Sequence, residues 1–258
     1  MDWKQILGNE EEKPLERLVF DGGFCRVFRT IGCIGDSLSS GEFESLDEEG
    51  NKQYHDCYEY SWGQYLARNT GCKVYNFSRG GMTAKEYWES FADWNGFWNQ
   101  DKLCQAYIIA LGVNDLIGQK QEMGSLEDIN LTDYRKNRDT FAGYYGRIIQ
   151  RLKELQPRAK FFLMTFPKED QEMPDLAALL YDMARLFDNT YVLDIGKYGP
   201  VYDVSFKKKF FMGGHMNPAG YILTANMVSS YIDYIVRHNL EDFAQVGFIG
   251  TSYYAKCQ

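Results

Sequence analysis

The chain has 258 residues and a formal net charge of −8, with 36 acidic against 28 basic side chains. This balance argues against nucleic acid or an anionic membrane as a partner, because both are bound through basic surfaces. No apolar run approaches the roughly 20 residues that a membrane-spanning helix needs. The first residues, Met1 to Gln5, lack the basic start and apolar stretch of a signal peptide, which predicts a cytoplasmic protein.

The cysteine pattern favours a reducing compartment. None of the six cysteines forms a C-x-x-C pair, and the spacing does not suit a metal site. Several lie in apolar runs, where a free thiol behaves as a small buried side chain. The six are Cys25, Cys33, Cys57, Cys72, Cys104 and Cys257.

Five short apolar segments are predicted to be β-strands, and helical patterns alternate with them along the chain. Asn217 followed by Pro218 is typical of a helix start and opens the last of these helices. Residues 40–53, 116–133 and 197–211 are polar or irregular and are predicted to be loops, with Lys207, Lys208 and Lys209 facing solvent. The predicted strands are residues 27–34, 72–77, 105–111, 159–166 and 190–195, and the predicted helices are residues 54–69, 134–155, 174–187 and 218–238.

Strands that alternate with helices predict an α/β fold with a doubly wound parallel sheet. No linker-like composition or internal repeat divides the chain, so residues 1–258 are interpreted as a single domain. Its core spans about residues 27–238. An N-terminal arm, residues 1–24, and a tail, residues 239–258, are predicted to pack on this core.

Ser37 follows the first predicted strand directly, after Gly35 and Asp36. Open α/β sheets place their ligands at the carboxyl ends of the strands, so a serine here is a candidate nucleophile. Taken alone, Gly-Asp-Ser is better explained as a helix cap. The functional interpretation therefore depends on what the other strand ends supply.

Three further polar sites follow strands or precede a helix: Gly80-Gly81, Asn114 and His215. Acyl transfer by a serine needs a base to take the proton and donors that hold the oxyanion. His215 is the candidate base. The N–H groups of Ser37 and Gly81 and the side-chain amide of Asn114 are the candidate oxyanion donors. Asp36 and Asp115 are interpreted as residues that brace the loops.

With these residues in place, the chain resembles the GDSL (SGNH) hydrolases. Gly35-Asp36-Ser37-Leu38-Ser39, Gly81, Gly112-Val113-Asn114-Asp115 and His215 match, in order, the four blocks of that family. The resemblance implies a three-layer α/β/α sandwich with a five-stranded parallel sheet, of the flavodoxin-like SGNH type. It also implies a serine esterase, lipase, thioesterase or carbohydrate deacetylase that uses no metal or other cofactor.

One position departs from the family pattern. The family usually has an aspartate three residues before the histidine, and Met212 stands there. Such an acid fixes the histidine tautomer and stabilises the imidazolium. The interpretation favoured is a Ser–His dyad whose imidazole is oriented by a backbone carbonyl. Asp203 is the alternative acid, with Asp194 as a further acidic neighbour in sequence.

The sequence therefore predicts an enzyme that hydrolyses a small-molecule ester, and the abundance of Tyr and Trp favours an acylated sugar such as an O-acetylated carbohydrate. Two alternatives stay open. One is a non-catalytic carbohydrate-binding module that retains the fold, with Met212 as a sign of decay. The other is an acyltransferase that uses the same serine.

Overall fold

The computed structural model describes residues 7–8, 11–168 and 173–254. Five parallel strands form its central sheet in the order β4-β1-β5-β6-β7. Two short antiparallel pairs, β2–β3 and β8–β9, lie outside this sheet. The strands are β1 Thr30–Gly35, β2 Glu42–Leu46, β3 Lys52–Asp56, β4 Lys73–Asn76, β5 Ala106–Ala110, β6 Lys160–Met164, β7 Thr190–Leu193, β8 Phe211–Met212 and β9 His215–Met216.

Helices cover both faces of the sheet, which confirms the three-layer α/β/α prediction. Trp62–Thr70 and Pro218–His238 pack on one face, and Phe141–Leu155 and Pro174–Leu186 pack on the other. None of the described helices is long and apolar enough to cross a membrane. The remaining α-helices are Ser37–Ser40, Ala84–Glu86, Ala92–Trp94, Ile195–Tyr198, Val204–Phe210 and Leu240–Phe243, and a π-helical segment, Tyr87–Phe91, joins the second of these to the third.

The central strands are buried on both faces because their side chains alternate between the two cores. In β5, Ile108 belongs to the core under the Pro218–His238 helix, whereas Tyr107 and Ile109 belong to the opposite core. Every residue of β5 and β6 is buried. This two-sided burial explains why the strands appear in the sequence as nearly continuous apolar runs.

The strand order places a ligand crevice next to Ser37. Numbered along the chain, the five sheet strands are arranged 2-1-3-4-5, which is the flavodoxin-like order. The order reverses between β1 and β5, so the connections that leave these two strands diverge. Ser37 follows β1 and Asn114 follows β5, so both lie at this switch point.

The polar stretch predicted as one loop contains the β2–β3 hairpin, so the prediction for residues 40–53 was wrong. Its turn is closed by Asp47, whose carboxylate accepts the N–H groups of Glu49 and Asn51. Phe43 is the apolar anchor, and its ring packs against Tyr60 and Tyr221. Because β3 is exposed along its whole length, its sequence lacks the alternation of apolar and polar residues that would indicate a hairpin.

Other boundaries also shift. The helix predicted from residue 54 begins at Trp62, because β3 runs to Asp56, a 3-10 turn covers Tyr58–Tyr60, and Ser61 accepts the N–H of Gln64 as the cap. The helix predicted from residue 134 is α-helical only from Phe141, where Thr140 caps it. The region predicted as irregular after residue 197 contains the helix Val204–Phe210.

Residues from both ends of the described chain contact the central domain. Arg237, near the end of the last long helix, pairs with Glu12 of the N-terminal arm at 2.8 Å. Val246 and Ile249 of the C-terminal tail are buried in the main core. The five cysteines among the described residues are free thiols, and Cys257 lies outside those residues.

Candidate active site

Ser37 is the first residue of a short helix at the end of β1. Asp36 caps this helix, and its carboxylate accepts the N–H of Leu38 at 3.1 Å. Gly35 is required just before the turn, because a side chain there would collide with Ser39. Within the described chain the N–H of Ser37 makes no hydrogen bond, so it is available to a ligand.

The glycine pair after β4 forms a tight turn beside Ser37. The N–H of Met82 donates to the carbonyl of Arg79 across this turn, at 3.2 Å. Gly81 has a φ of +71°, a left-handed conformation that glycine adopts without strain. The guanidinium of Arg79 is paired with Glu86 at 2.7 Å, so it serves the loop itself.

Asn114 connects the loops after β1, β4 and β5. Its side-chain amide donates to the carbonyl of Met82 at 3.2 Å and reaches the carboxylate of Asp36 at 3.5 Å. The structure thus brings the candidate oxyanion residues Ser37, Gly81 and Asn114 to one edge of the sheet, as the sequence predicted.

Two buried aspartates support this arrangement. Asp115 accepts the N–H of Ala84 at 2.8 Å, and its burial raises the pKa of that carboxyl to about 6. Burial raises the pKa of Asp36 to about 7, and the negative charges of Asp115 and Glu42 add to the rise. Both carboxyl groups connect neighbouring loops through hydrogen bonds, which fits the interpretation that they brace the site.

His215 lies in β9, between two glutamates of β2. Its Nε2 is 3.0 Å from Oε1 of Glu42, and its Nδ1 is 3.6 Å from Oε2 of Glu44. The ring of Tyr54, from β3, meets the imidazole edge-on with 5.7 Å between ring centroids. Within the described chain these are the carboxylates that lie within 4 Å of the imidazole.

Glu44 is held firmly in this position. One carboxylate oxygen is 2.9 Å from Nζ of Lys52, and the other accepts the N–H of Gly214 at 2.9 Å. The bond from Lys52 is the main cause that lowers the pKa of Glu44, and the Gly214 N–H adds to it. Glu44 is therefore a carboxylate at neutral pH.

The acids named from the sequence have other partners. Asp203 caps the helix Val204–Phe210 and accepts the N–H of Phe206 at 2.8 Å. Asp194 accepts the hydroxyls of Thr165 and Tyr181. Glu42 and Glu44, which the sequence interpretation assigned to a loop, take the place beside His215. Their alternation with Phe43 was the one signal that both carboxylates share a face.

The nucleophile and base candidates are joined through this same hairpin. The helix that starts at Ser37 packs against both β2 and β9, the strand of His215. The carboxylate of Glu42 also lies against Gly80, close enough that a side chain at Gly80 would collide with it. Ser37, the glycine turn, Asn114 and His215 thus surround one small region.

A cavity of about 490 Å³ lies beside Leu38, the residue that follows Ser37. Leu38 and Val113, the chain neighbours of Ser37 and Asn114, form its inner wall. Among the polar groups that line the cavity, Thr165 donates to Asp194 and accepts the N–H of Gly196, and Lys168 and Lys197 also line it. The outer wall is apolar and consists of Ile117, Phe166, Pro167, Met173, Pro174, Leu176 and Ala177.

The fold and these strand-end residues define an α/β protein with its polar site at the switch point of a parallel sheet. The sequence profile of the GDSL-like lipase/acylhydrolase family matches residues 33–223. The chain therefore belongs to this family, which confirms the resemblance seen in its four sequence blocks, and it is an ester-hydrolysing enzyme.

Solved structures support the fold. A family two carbohydrate esterase from Clostridium thermocellum, in complex with cellohexaose, is 19% identical with a TM-score of 0.55, covering 90% of this chain and 66% of that one. A family 2 carbohydrate esterase plus carbohydrate binding domain from Corynascus thermopiles (Myceliophthora fergusii) is 18% identical with a TM-score of 0.54, covering 80% of this chain and 66% of that one. At these identities the likeness concerns the fold alone. A search of curated proteins finds no match.

Proposed function

We propose that this protein is a serine esterase in which Ser37 is the nucleophile and His215 the general base, acting on small esters such as O-acetylated carbohydrates. The proposal is supported by contacts that connect the loops around Ser37 to His215. Asn114 links Asp36 to the glycine turn, and Glu42 links that turn to His215.

In the proposed reaction the ester carbonyl oxygen is held by the N–H groups of Ser37 and Gly81 and by the amide of Asn114. His215 takes the proton of the Ser37 hydroxyl as its oxygen attacks the carbonyl carbon. The C–O bond of the ester then breaks, and His215 returns the proton to the leaving alcohol. Water repeats the sequence on the acyl-enzyme and releases the acid.

This cycle requires Nε2 of His215 to face Ser37. In the structure Nε2 contacts Glu42 instead, at 3.0 Å. Burial raises the pKa of Glu42, so this carboxylate is easier to neutralise than an exposed one. A substrate hydroxyl that donates to Glu42 would release the imidazole, which suits a polyhydroxylated alcohol such as a sugar. The carbohydrate esterases among the solved neighbours support the same substrate class.

The direct test is covalent labelling with a fluorophosphonate probe, followed by peptide mapping. We expect stoichiometric labelling at Ser37, with no labelling of Ser37→Ala. Ser45→Ala, which removes an exposed hydroxyl from β2, is the matched control and should label normally. A folded wild-type protein that does not react would overturn the proposal and favour a binding module.

Substrate class and acceptor need a second measurement. We expect acetate release from acetylated xylo- or cello-oligosaccharides, detected by mass spectrometry of both products. Adding simple alcohols as acceptors separates hydrolysis from acyl transfer, because a transferase would convert them to acetate esters. Labelling at Ser37 without turnover of any acetylated sugar would retain the mechanism and reject this substrate.

A further inference from the structure

We infer that Glu44, supplied by strand β2, is the positioning residue that orients His215, in place of an acid at position 212. This inference rests on the proposed function, since it concerns the same histidine. Neither the sequence blocks nor the family match points to Glu44, which precedes His215 by 171 positions (215 − 44).

Glu44 lies close to one ring nitrogen of His215. Oε2 of Glu44 is 3.6 Å from Nδ1 of His215, the ring nitrogen opposite the one that would face a nucleophile. Nδ1 is a fully buried atom and has no hydrogen-bond partner among the described residues. A buried ring nitrogen without a partner is costly, so a small movement that closes 3.6 Å to hydrogen-bond distance is favoured.

The chain also makes room for this carboxylate. A Cβ at Gly213 would lie 2.6 Å from the carboxyl group of Glu44, and one at Gly214 would lie 3.0 Å from its Oε2. Gly213 also has a φ of +68°, which disfavours any other residue. The two glycines between Met212 and His215 are thus explained by the approach of Glu44.

The charge of Glu44 suits the same role. Glu44 is kept ionised by Lys52 and by the N–H of Gly214, as an acid that stabilises an imidazolium must be. Glu42 contacts the other ring nitrogen, and burial raises its pKa instead. Three groups from β2 and β3 therefore face His215. They are the carboxylate of Glu44, the more easily protonated carboxyl of Glu42, and the ring of Tyr54.

With Glu44 accepting a hydrogen bond from Nδ1–H, the lone pair of His215 is on Nε2, which then takes the Ser37 proton. Glu44 keeps its charge throughout and takes up no proton. Its contribution is to fix the tautomer and to favour the protonated ring. Met212, which is exposed, is then free of any catalytic requirement.

The test compares Glu44→Gln with Asp203→Asn and Lys52→Gln. We expect Glu44→Gln to lower kcat by on the order of a hundred- to ten-thousand-fold, with KM changed only a few-fold. Glu44→Asp, which keeps the charge on a shorter arm, should recover part of kcat.

The controls separate positioning from structure. Asp203→Asn should retain wild-type kcat, and Lys52→Gln should lose less than tenfold, because the carboxylate remains bonded to Gly214. Thermal melting confirms that each variant folds. A Glu44→Gln variant with kcat within threefold of wild type would overturn the inference, even while Ser37 still labels. An unreactive wild-type protein would instead overturn the proposed function.

Discussion

The surroundings of His215 at the β2–β3 hairpin and the cavity beside Leu38 differ in charge and polarity. On the hairpin side, His215 is surrounded by Glu42 and Glu44, which are held by ion pairs and hydrogen bonds. The 490 Å³ cavity beside Leu38 has a largely apolar wall, and its polar lining consists of the Thr165–Asp194–Gly196 hydrogen bonds and the side chains of Lys168 and Lys197. One side is suited to hydroxyl groups or cations and the other to apolar groups.

This difference assigns the two halves of an ester. In the proposed reaction His215 returns a proton to the leaving oxygen, which would place the alcohol on the acidic side. The acyl group then points toward Leu38 and the cavity. The volume lies within the range of small-molecule pockets, so it would hold an acyl group larger than acetyl as well.

Among the tests of this contrast, the largest effect should come from filling the cavity. Ala177 lines it from the helix Pro174–Leu186, and Ala177→Phe would occupy its apolar volume. We expect kcat/KM for a hexanoate ester to fall about 10- to 100-fold while that for the matching acetate changes little. Ala178→Phe, at the next and exposed position of the same helix, is the matched control. Equal losses for both acyl lengths would contradict the assignment of the cavity to the acyl group.

A smaller effect should come from neutralising the hairpin side. We expect Glu42→Gln to reduce the preference for a cationic over an anionic alcohol by about tenfold, measured as the ratio of kcat/KM for choline and glycolate acetates. Salt should weaken the wild-type preference in the same direction. Glu49→Gln, an exposed acid in the hairpin turn, should leave the ratio unchanged. If Glu42→Gln leaves this ratio unchanged, the hairpin does not determine which alcohol the enzyme prefers.

The smallest effect concerns stability at the boundary between the two sides, where Asp36 lies. Its pKa is raised to about 7, so between about pH 4 and pH 7 the folded chain binds more protons at this site than the unfolded chain does. The free energy of unfolding from this group therefore falls as the pH rises through that interval. In Asp36→Asn this part of the decline is absent, which a pH series of melting temperatures measures. Parallel curves for the two proteins would show that Asp36 does not titrate in this way.

Local patterns were sufficient to predict the parts of the structure that local forces determine. The five strands are apolar runs long enough to be recognised, and Asn217-Pro218 begins the last long helix at the predicted residue. Ser37, Gly81 and Asn114 could be placed together because parallel strands end at one edge. For these residues, secondary structure alone determined the neighbourhood.

The partner of His215 could not be found in this way. Glu44 lies in a strand with one anchoring aromatic residue, Phe43, and its mate β3 is exposed throughout. The hairpin is stabilised by tertiary contacts, among them the Phe43–Tyr221 ring pair, which no sequence window contains. The absence of an acid at position 212 is visible in the sequence. Which residue lies beside His215 instead is visible only in the folded chain.

The bond between Glu44 and Gly214 joins residues 170 positions apart, which makes it one of the least local contacts in the molecule. Such a contact closes a long loop, and the chain loses conformational entropy before the contact can form. Ser37 and its glycine turn lie in the first third of the chain. The orientation of His215 in addition needs the segment around residue 215 to be packed against Glu44. Catalytic competence is thus tied to completion of folding, and a nascent or partly folded chain would carry the serine without an oriented base.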